Sequence, residues 1–362
     1  MPVTMKDIAR MVGVSRPVVS AVLNNRNNSR VSNEKRKEIQ RLVKELNFLP
    51  NRSALQLRGK PSKTIGILQN YFPSPMQSEM IRIMADLLLK KGYQSYYAGI
   101  STQEHEKVII DNLISRGLDG IIISYLGSKI VQENYDIPIV SISERIEKFD
   151  IAVDLVHGGY IATKHLMEHG HKKIGFITTY ISANLRKFEG YKKALSEKGI
   201  LPGKKWLVQL TRNADFDKEL EHLINKEKVT AFCATNDYIA GKFMSYLVKK
   251  GYKVPEDIAV TGFDGMTFAE FTVCPLTTVV QPLKAISEKS VEILLKKINS
   301  GDYARTESLF LKPHLHIGSS CGCNKDDLNF IYWEGTLPTL ETLHAYIEPL
   351  PEKFKLGQEG GL

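Results

Sequence analysis

The chain has 362 residues, 43% of them hydrophobic and 25% charged, enough apolar material for more than one core and too much for a disordered or collagen-like polymer. Its formal net charge of +9 is concentrated: residues 1–60 hold 13 Lys or Arg against 4 Asp or Glu, whereas residues 61–362 hold 36 of each. A generally solvated basic surface would spread that excess, so its confinement to one sixth of the chain points to a polyanion partner, nucleic acid above all.

The first segment reads as two short helices joined by a tight turn. Thr4 is placed to cap the first helix, with the Asp7 carboxylate three residues on, near the positive helix end. Ile8, Ala9 and Val12 form an apolar stripe at helical spacing, and Gly13 ends it where a left-handed residue is needed. Ser15 is expected to cap the second helix, and Pro17 falls in its first turn, where a missing N–H costs little. Val18, Val19 and Val22 then face the first helix, which leaves Arg16, Pro17, Ser20 and Ala21 free for a partner. After the polar stretch Asn24 to Arg30, Ser32 is expected to cap a third helix buried through Ile39, Leu42, Val43 and Leu46. Residues 51–58, between Pro50 and Gly59, show a helical pattern too short to be stable alone in water. Such a piece is a linker or a segment that folds on its target.

From Thr64 short apolar runs alternate with amphipathic helices. Strands are expected at 65–68, 94–98, 120–123 and 138–142, with helices at 80–89 and 103–115. The rhythm restarts with helices at 158–168, 188–197, 217–226 and 238–249 and strands at 173–178, 206–210, 231–233 and 258–260. Fully apolar strands separated by helices imply parallel sheets covered on both faces. Two rounds of about 120 residues therefore predict two doubly wound subdomains in succession, with a ligand cleft at the carboxyl ends of their strands. No apolar run approaches the roughly 18 residues of a membrane span, and the N-terminus lacks a signal-peptide stretch. Four cysteines make no disulfide framework in a chain this long, so the cytoplasm is the expected compartment.

The ordered motifs Asp7-Ile8-Ala9, Gly13-Val14-Ser15, Val22-Leu23-Asn24, Leu46-Asn47-Phe48, Pro50-Asn51, Gly158-Gly159, Gly170-His171, Asn236-Asp237, Gly262-Phe263-Asp264 and Pro275 to Pro282 carry a resemblance to the lac/Gal repressor family of bacterial transcription regulators, over residues 3 to about 320. The resemblance implies an all-α helix-turn-helix head (1–49), a hinge helix and linker (50–61) and a periplasmic-binding-protein-like α/β core (62–320), followed by a C-terminal extension (321–362). It also implies a homodimer, with a tetramer as the larger possibility, on a double-stranded pseudo-palindromic operator in the nucleoid. A sugar or sugar derivative would be the effector, with no cofactor and no catalysis. A soluble solute-binding protein using the core alone is the rival class, against which the basic head counts.

The DNA-facing set implied by resemblance is Thr4, Ser15, Arg16, Pro17, Ser20, Ala21 and Asn24 in the head and Asn51, Arg52, Ala54, Leu57 and Arg58 in the hinge. Arg16 is the best equipped for a bidentate guanine contact, about 1–3 kcal/mol of discrimination, with a phosphate contact as its alternative. Leu57 holds the place of the family's minor-groove wedge, with a core residue at the domain junction as the plainer reading. Ala21 replaces a larger polar residue, and the turn from Asn24 to Arg30 is about two residues longer than in common members.

The effector set implied is Arg186, Lys187, Asn236, Asp264 and Gln281, with Tyr71, Phe72 and Tyr125 after strand ends as ring-stacking or simply solvent-facing aromatics. Lys187 stands in the register where many members carry an arginine, and lacks its planar fork. Three further patterns suggest chemistry. Gly318 to Gly322 matches G-x-S-x-G formally, but no apolar helix follows to make an esterase elbow. His165 and His169 lie four residues apart with His171 beyond, and Cys321 and Cys323 flank Gly322, either of which could suggest metal. The histidine run already belongs to the family pattern and the two cysteines lack a second pair, so both are read as structural.

Overall fold

The computed structural model describes residues 3–23, 31–48, 61–71, 73–124, 135–143, 149–178, 185–201, 206–209, 216–304 and 308–323. The chain divides into two compact units, Met1–Ser62 and Lys63–Leu362.

Among its described residues the first unit packs three helices, α1 (Met5–Val12), α2 (Arg16–Leu23) and α3 (Asn33–Glu45). Thr4 and Asp7 form a reciprocal capping box at α1: the Asp7 N–H donates to Thr4 Oγ1 (3.3 Å) and the Thr4 N–H to Asp7 Oδ2 (3.0 Å). Gly13 closes α1 in the left-handed region at φ 67°, the conformation an L side chain resists. The apolar positions spaced for a helix do meet: Ile8, Ala9, Val12, Val19, Val22, Ile39 and Phe48 are buried together. Lys35, on α3, donates its ammonium to the Val12 carbonyl at 2.6 Å, satisfying an end-of-helix acceptor and tying α3 to α1.

Among its described residues the second unit carries two six-stranded sheets. The first contains β1 (Thr64–Asn70), β2 (Gln94–Ile100), β3 (Gly120–Ser124), β4 (Ile139–Ser143), β5 (Ile151–Val153) and β11 (Leu309–Leu311), in the order β11-β5-β4-β3-β1-β2 and parallel throughout. The second contains β6 (Ile174–Thr178), β7 (Leu207–Gln209), β8 (Ala231–Ala234), β9 (Ala259–Asp264), β10 (Thr277–Val280) and β12 (His314–His316), ordered β12-β10-β9-β8-β6-β7 with only β12 antiparallel. Helices α4 (Pro75–Lys90), α5 (Gln103–Ser115), α6 (Leu155–Glu168), α7 (Leu185–Ser196), α8 (Phe216–Glu221), α9 (Asp237–Lys249) and α10 (Leu283–Ser300) complete the layers. Central strands β3, β6 and β8 are buried along their whole length, as strands covered on both faces must be.

Two parallel α/β sheets were expected; two successive rounds were not what formed. The last stretch is shared between the sheets: α10 packs on β3, β4 and β5, β11 edges the first sheet, and β12 edges the second. Among the described residues the chain therefore crosses between sheets three times, at Asp154, at Gln281-Pro282 and at Lys312-Pro313. Helix α4 begins five residues before the expected start, because Ser74 and Gln77 make a second capping box with Pro75 at the first helical position. Helix α8 stops at Glu221 and passes into a wider, π-type turn over His222–Lys226. Cys321 is buried, so the packed core runs past residue 320, to Cys323 among the described residues. Among those residues no helix is long and apolar enough to cross a membrane.

Candidate DNA-binding and effector sites

In the head, the carbonyl of Ser15 accepts from the N–H groups of Val18 (2.9 Å) and Val19 (3.3 Å), which starts α2 with Arg16 and Pro17 on its first turn. Arg16 and Pro17 are exposed and Ser20 and Ala21 half-buried, while Val19 and Val22 hold the opposite face in the core. The helix thus presents one long cationic side chain at its start, on a body whose apolar side is fully used. Thr4 spends its hydroxyl on the α1 cap, which leaves it a positioning role there. Asn24, Asn51, Arg52, Ala54, Leu57 and Arg58 lie outside the described residues, and so do Phe72 and Tyr125.

In the core, polar side chains gather at the carboxyl ends of β8, β9 and β10. Strand β9 ends on Asp264, whose φ of 106° is a conformation that costs a non-glycine residue on the order of 1–3 kcal/mol and that favours functional sites. Its carboxylate accepts from Gln281 Nε2 at 2.9 Å and lies 3.6 Å from the Lys187 ammonium. Lys187 is 5% exposed; its Nζ also donates to the Thr235 carbonyl at 2.8 Å and sits 4.0 Å from the centroid of the Phe263 ring. Burial pushes the Asp264 carboxyl above its ordinary range, and the Lys187 ammonium opposes that rise.

One layer deeper, Asp237 at the start of α9 is fully buried. Its Oδ2 accepts from the Met266 N–H at 2.6 Å, and its Oδ1 makes a short hydrogen bond with the Thr278 hydroxyl. Burial, and then the nearby negative charge of Asp264, push this carboxyl up to about 8, so it holds a proton at neutral pH. Asn236 uses its side-chain oxygen to cap α9 through the Ile239 N–H at 2.8 Å, leaving its amide nitrogen for other partners.

Lys187 reaches this cluster because α6 and α7 cross almost in contact. A Cβ on Gly159 would overlap the Lys187 carbonyl, and one on Gly190 would overlap the Val156 carbonyl. Glycine at both positions lets the two backbones touch and sets the depth from which Lys187 extends.

These two sites match known families in two places. A model described as bacterial regulatory proteins, lacI family, matches residues 4–51, and a periplasmic binding protein-like domain matches residues 163–321. The HTH-type transcriptional repressor PurR of Aliivibrio salmonicida (strain LFI1238) is 30% identical over 321 residues, 83% of this chain and 94% of its own. The chain belongs to the lacI family. A lac repressor dimer, solved bound to operator and the anti-inducer ONPF, superposes with a TM-score of 0.76 at 25% identity, over 89% of this chain and 99% of that one. A periplasmic binding protein/LacI transcriptional regulator from Alkaliphilus metalliredigens QYMF, complexed with D-xylulofuranose, has a TM-score of 0.59 at 26% identity, over 71% and 98%.

Within this lacI-family core the structure joins Lys187, Asp264 and Gln281 into one bonded group. It leaves Tyr71 62% exposed at the end of β1 and Arg186 half-buried beside Lys187. Asp237 was expected near the same strand ends, but not its burial behind Asp264. Sequence reasoning missed Thr278 and the Thr235 carbonyl as members of the same network; nothing marked Thr278 apart from the other β-branched residues of its strand.

Proposed function

We propose that this chain is a ligand-responsive transcriptional repressor that binds a pseudo-palindromic duplex operator as a homodimer in the cytoplasm, with a sugar or related polyhydroxylated metabolite as effector in the core. The regions implied by resemblance follow: residues 1–49 read DNA, 50–61 form hinge and linker, 62–320 bind effector and dimerise, and 321–362 are a C-terminal extension to which no role is given.

The observation that carries the effector reading is the Lys187–Asp264–Gln281 group. A cation, a carboxylate held in a costly backbone conformation and a primary amide converge at the carboxyl ends of three parallel strands, where such folds bind ligands. Together they offer donors and acceptors suited to hydroxyl groups, and today they satisfy one another. Hydroxyls entering between them would substitute for the Lys187–Asp264 contact without leaving either charge bare.

Gln281 also sits at one of the three crossings between the sheets, so a ligand that moves it acts on the joint itself. Differential binding of about 1–3 kcal/mol between two dispositions of the sheets would change operator affinity 5- to 150-fold. The lac repressor and A. metalliredigens complexes support this reading, as does the basic head with Arg16 exposed at the start of α2. The test is a thermal-shift screen of the full chain against sugars, sugar phosphates and nucleobases, followed by anisotropy titration of a duplex selected from random sequence. A hit should raise the melting temperature, change duplex affinity and lose its effect in Asp264→Asn and Gln281→Ala. A hit that stabilises both variants as it does the parent would place the effector elsewhere.

A further inference from the structure

The two half-sets of metal ligands that stand more than 150 residues apart in sequence meet in the fold. We propose that His165, His169, Cys321 and Cys323 form a tetrahedral site for a structural zinc ion that ties the 318–323 segment to the end of α6.

One ligand atom from each of the four lies within 4.8 Å of all the others. Cys323 Sγ is 3.1 Å from His169 Nε2 and 3.6 Å from His165 Nε2. With Zn–S of about 2.3 Å and Zn–N of about 2.0–2.1 Å, the edges of a tetrahedral S2N2 site are about 3.3–3.8 Å, so closure would widen the 3.1 Å edge slightly and draw in the longest by about 1 Å, within reach of side-chain rotation. The histidines are four residues apart, on one face of the last turn of α6 and its cap, with ring centroids 4.6 Å apart. Cys321 and His165 face inward and His169 faces solvent, which gives an ion both a dry floor and a way in.

The cysteine arm is held in place before any metal arrives. Ser320 donates its N–H to the Pro275 carbonyl (3.0 Å) and its hydroxyl to the Val260 carbonyl (2.6 Å), and its Oγ accepts from the Thr277 N–H (2.9 Å). Gly322, at φ 93°, turns the backbone between the two cysteines. The Thr277 hydroxyl lies 3.0 Å from Cys321 Sγ, a ready donor to a thiolate and the kind of outer partner that orients metal ligands. Two thiolates balance the charge of Zn2+, and soft sulfur with imidazole selects zinc over magnesium or calcium. Four protein ligands leave no open position, so the ion's work is structural.

The experiment uses the full chain without a histidine tag, stripped with a chelator under reducing conditions and then titrated with Zn2+ against a chromophoric competitor. One equivalent should bind, slow the reaction of Cys323 with thiol reagents and raise the melting temperature. Co2+ in its place should give a thiolate-to-cobalt charge-transfer band and the intense ligand-field bands of a tetrahedral centre. Cys323→Ser and His169→Gln, both at the outer side of the site, should melt as the stripped parent does. Each should lose zinc affinity by at least the roughly 10–100-fold that removing a second-layer partner produces. Failure to bind a stoichiometric equivalent, a Cys321–Cys323 disulfide as the stable form under mild reduction, or undiminished binding in both variants would each overturn the site.

Discussion

Asp237 offers a sharp test of how the core handles buried charge. Its carboxyl stands near 8 in the folded protein against an ordinary value of 3.8, so between those limits the folded chain carries a proton that the unfolded chain has lost. Stability from this group is complete below about pH 4 and is lost as pH rises toward 8, at about 1.4 kcal/mol per pH unit. From pH 5.5 to 7.5 the loss is about 2–3 kcal/mol, or about 5–10 °C in melting temperature for a domain of this size. Asp237→Asn should remove that slope. An amide reproduces the protonated acid: its NH2 faces the Thr278 hydroxyl and its oxygen still accepts from the Met266 N–H. Melting curves of parent and variant across pH 5–9 should therefore diverge steadily up to pH 8 and then run parallel, with the variant the more stable at the upper end. All other titrating groups are common to both proteins, so the difference isolates this one. Parallel curves across the whole range would refute the buried neutral acid.

Arg16→Ala should weaken binding to the selected operator by about 1–3 kcal/mol, 5- to 150-fold by anisotropy. An equal loss on unrelated duplex would place Arg16 on phosphate instead. Gly159→Ala drives a methyl into the Lys187 carbonyl and should cost about 1–3 kcal/mol or more in thermal denaturation. Lys297 is buried and bonded to Asp150 (3.1 Å) and to the Ile139 carbonyl (2.8 Å), so Lys297→Met strands a carboxylate and should cost about 3–5 kcal/mol. Adding Asp150→Asn should restore part of that stability; no recovery in the double variant would show that the cost lies in lost packing of the lysine stem.

The head was legible almost to the residue because its signals are local. Thr4 and Asp7 are three residues apart, Gly13 follows the last apolar position, and Ser32 precedes α3. From Thr64 to β9, every core strand and helix except β5 was legible from apolar runs. Beyond β9 neither β10 nor the long α10 was read; β5, β11 and β12 have three residues each, too few for any period, and each is a strand only because a neighbour supplies its hydrogen bonds. The assumption of two consecutive rounds failed for the same reason, since nothing in residues 283–316 states which sheet each piece will join. The effector group was reachable through the family motif at Asp264 and Gln281, whereas the bond from Lys187 depends on a helix crossing set by Gly159 and Gly190. The histidine and cysteine pairs were each visible, but their meeting was not.

The three crossings between sheets also set an order of events during synthesis. The first sheet has five of its six strands once Val153 has left the ribosome, yet α10 and the edge strand β11 come from residues 283–311. Met84, Leu88 and Ile122, buried in the same cluster as Ile286, Val291 and Leu294, stay uncovered until that helix arrives. The half made first is thus completed nearly last, and a nascent chain stopped anywhere before Leu283 leaves an apolar face open to chaperones or aggregation. For the same reason, no single cut in the chain releases either half as a complete folded piece.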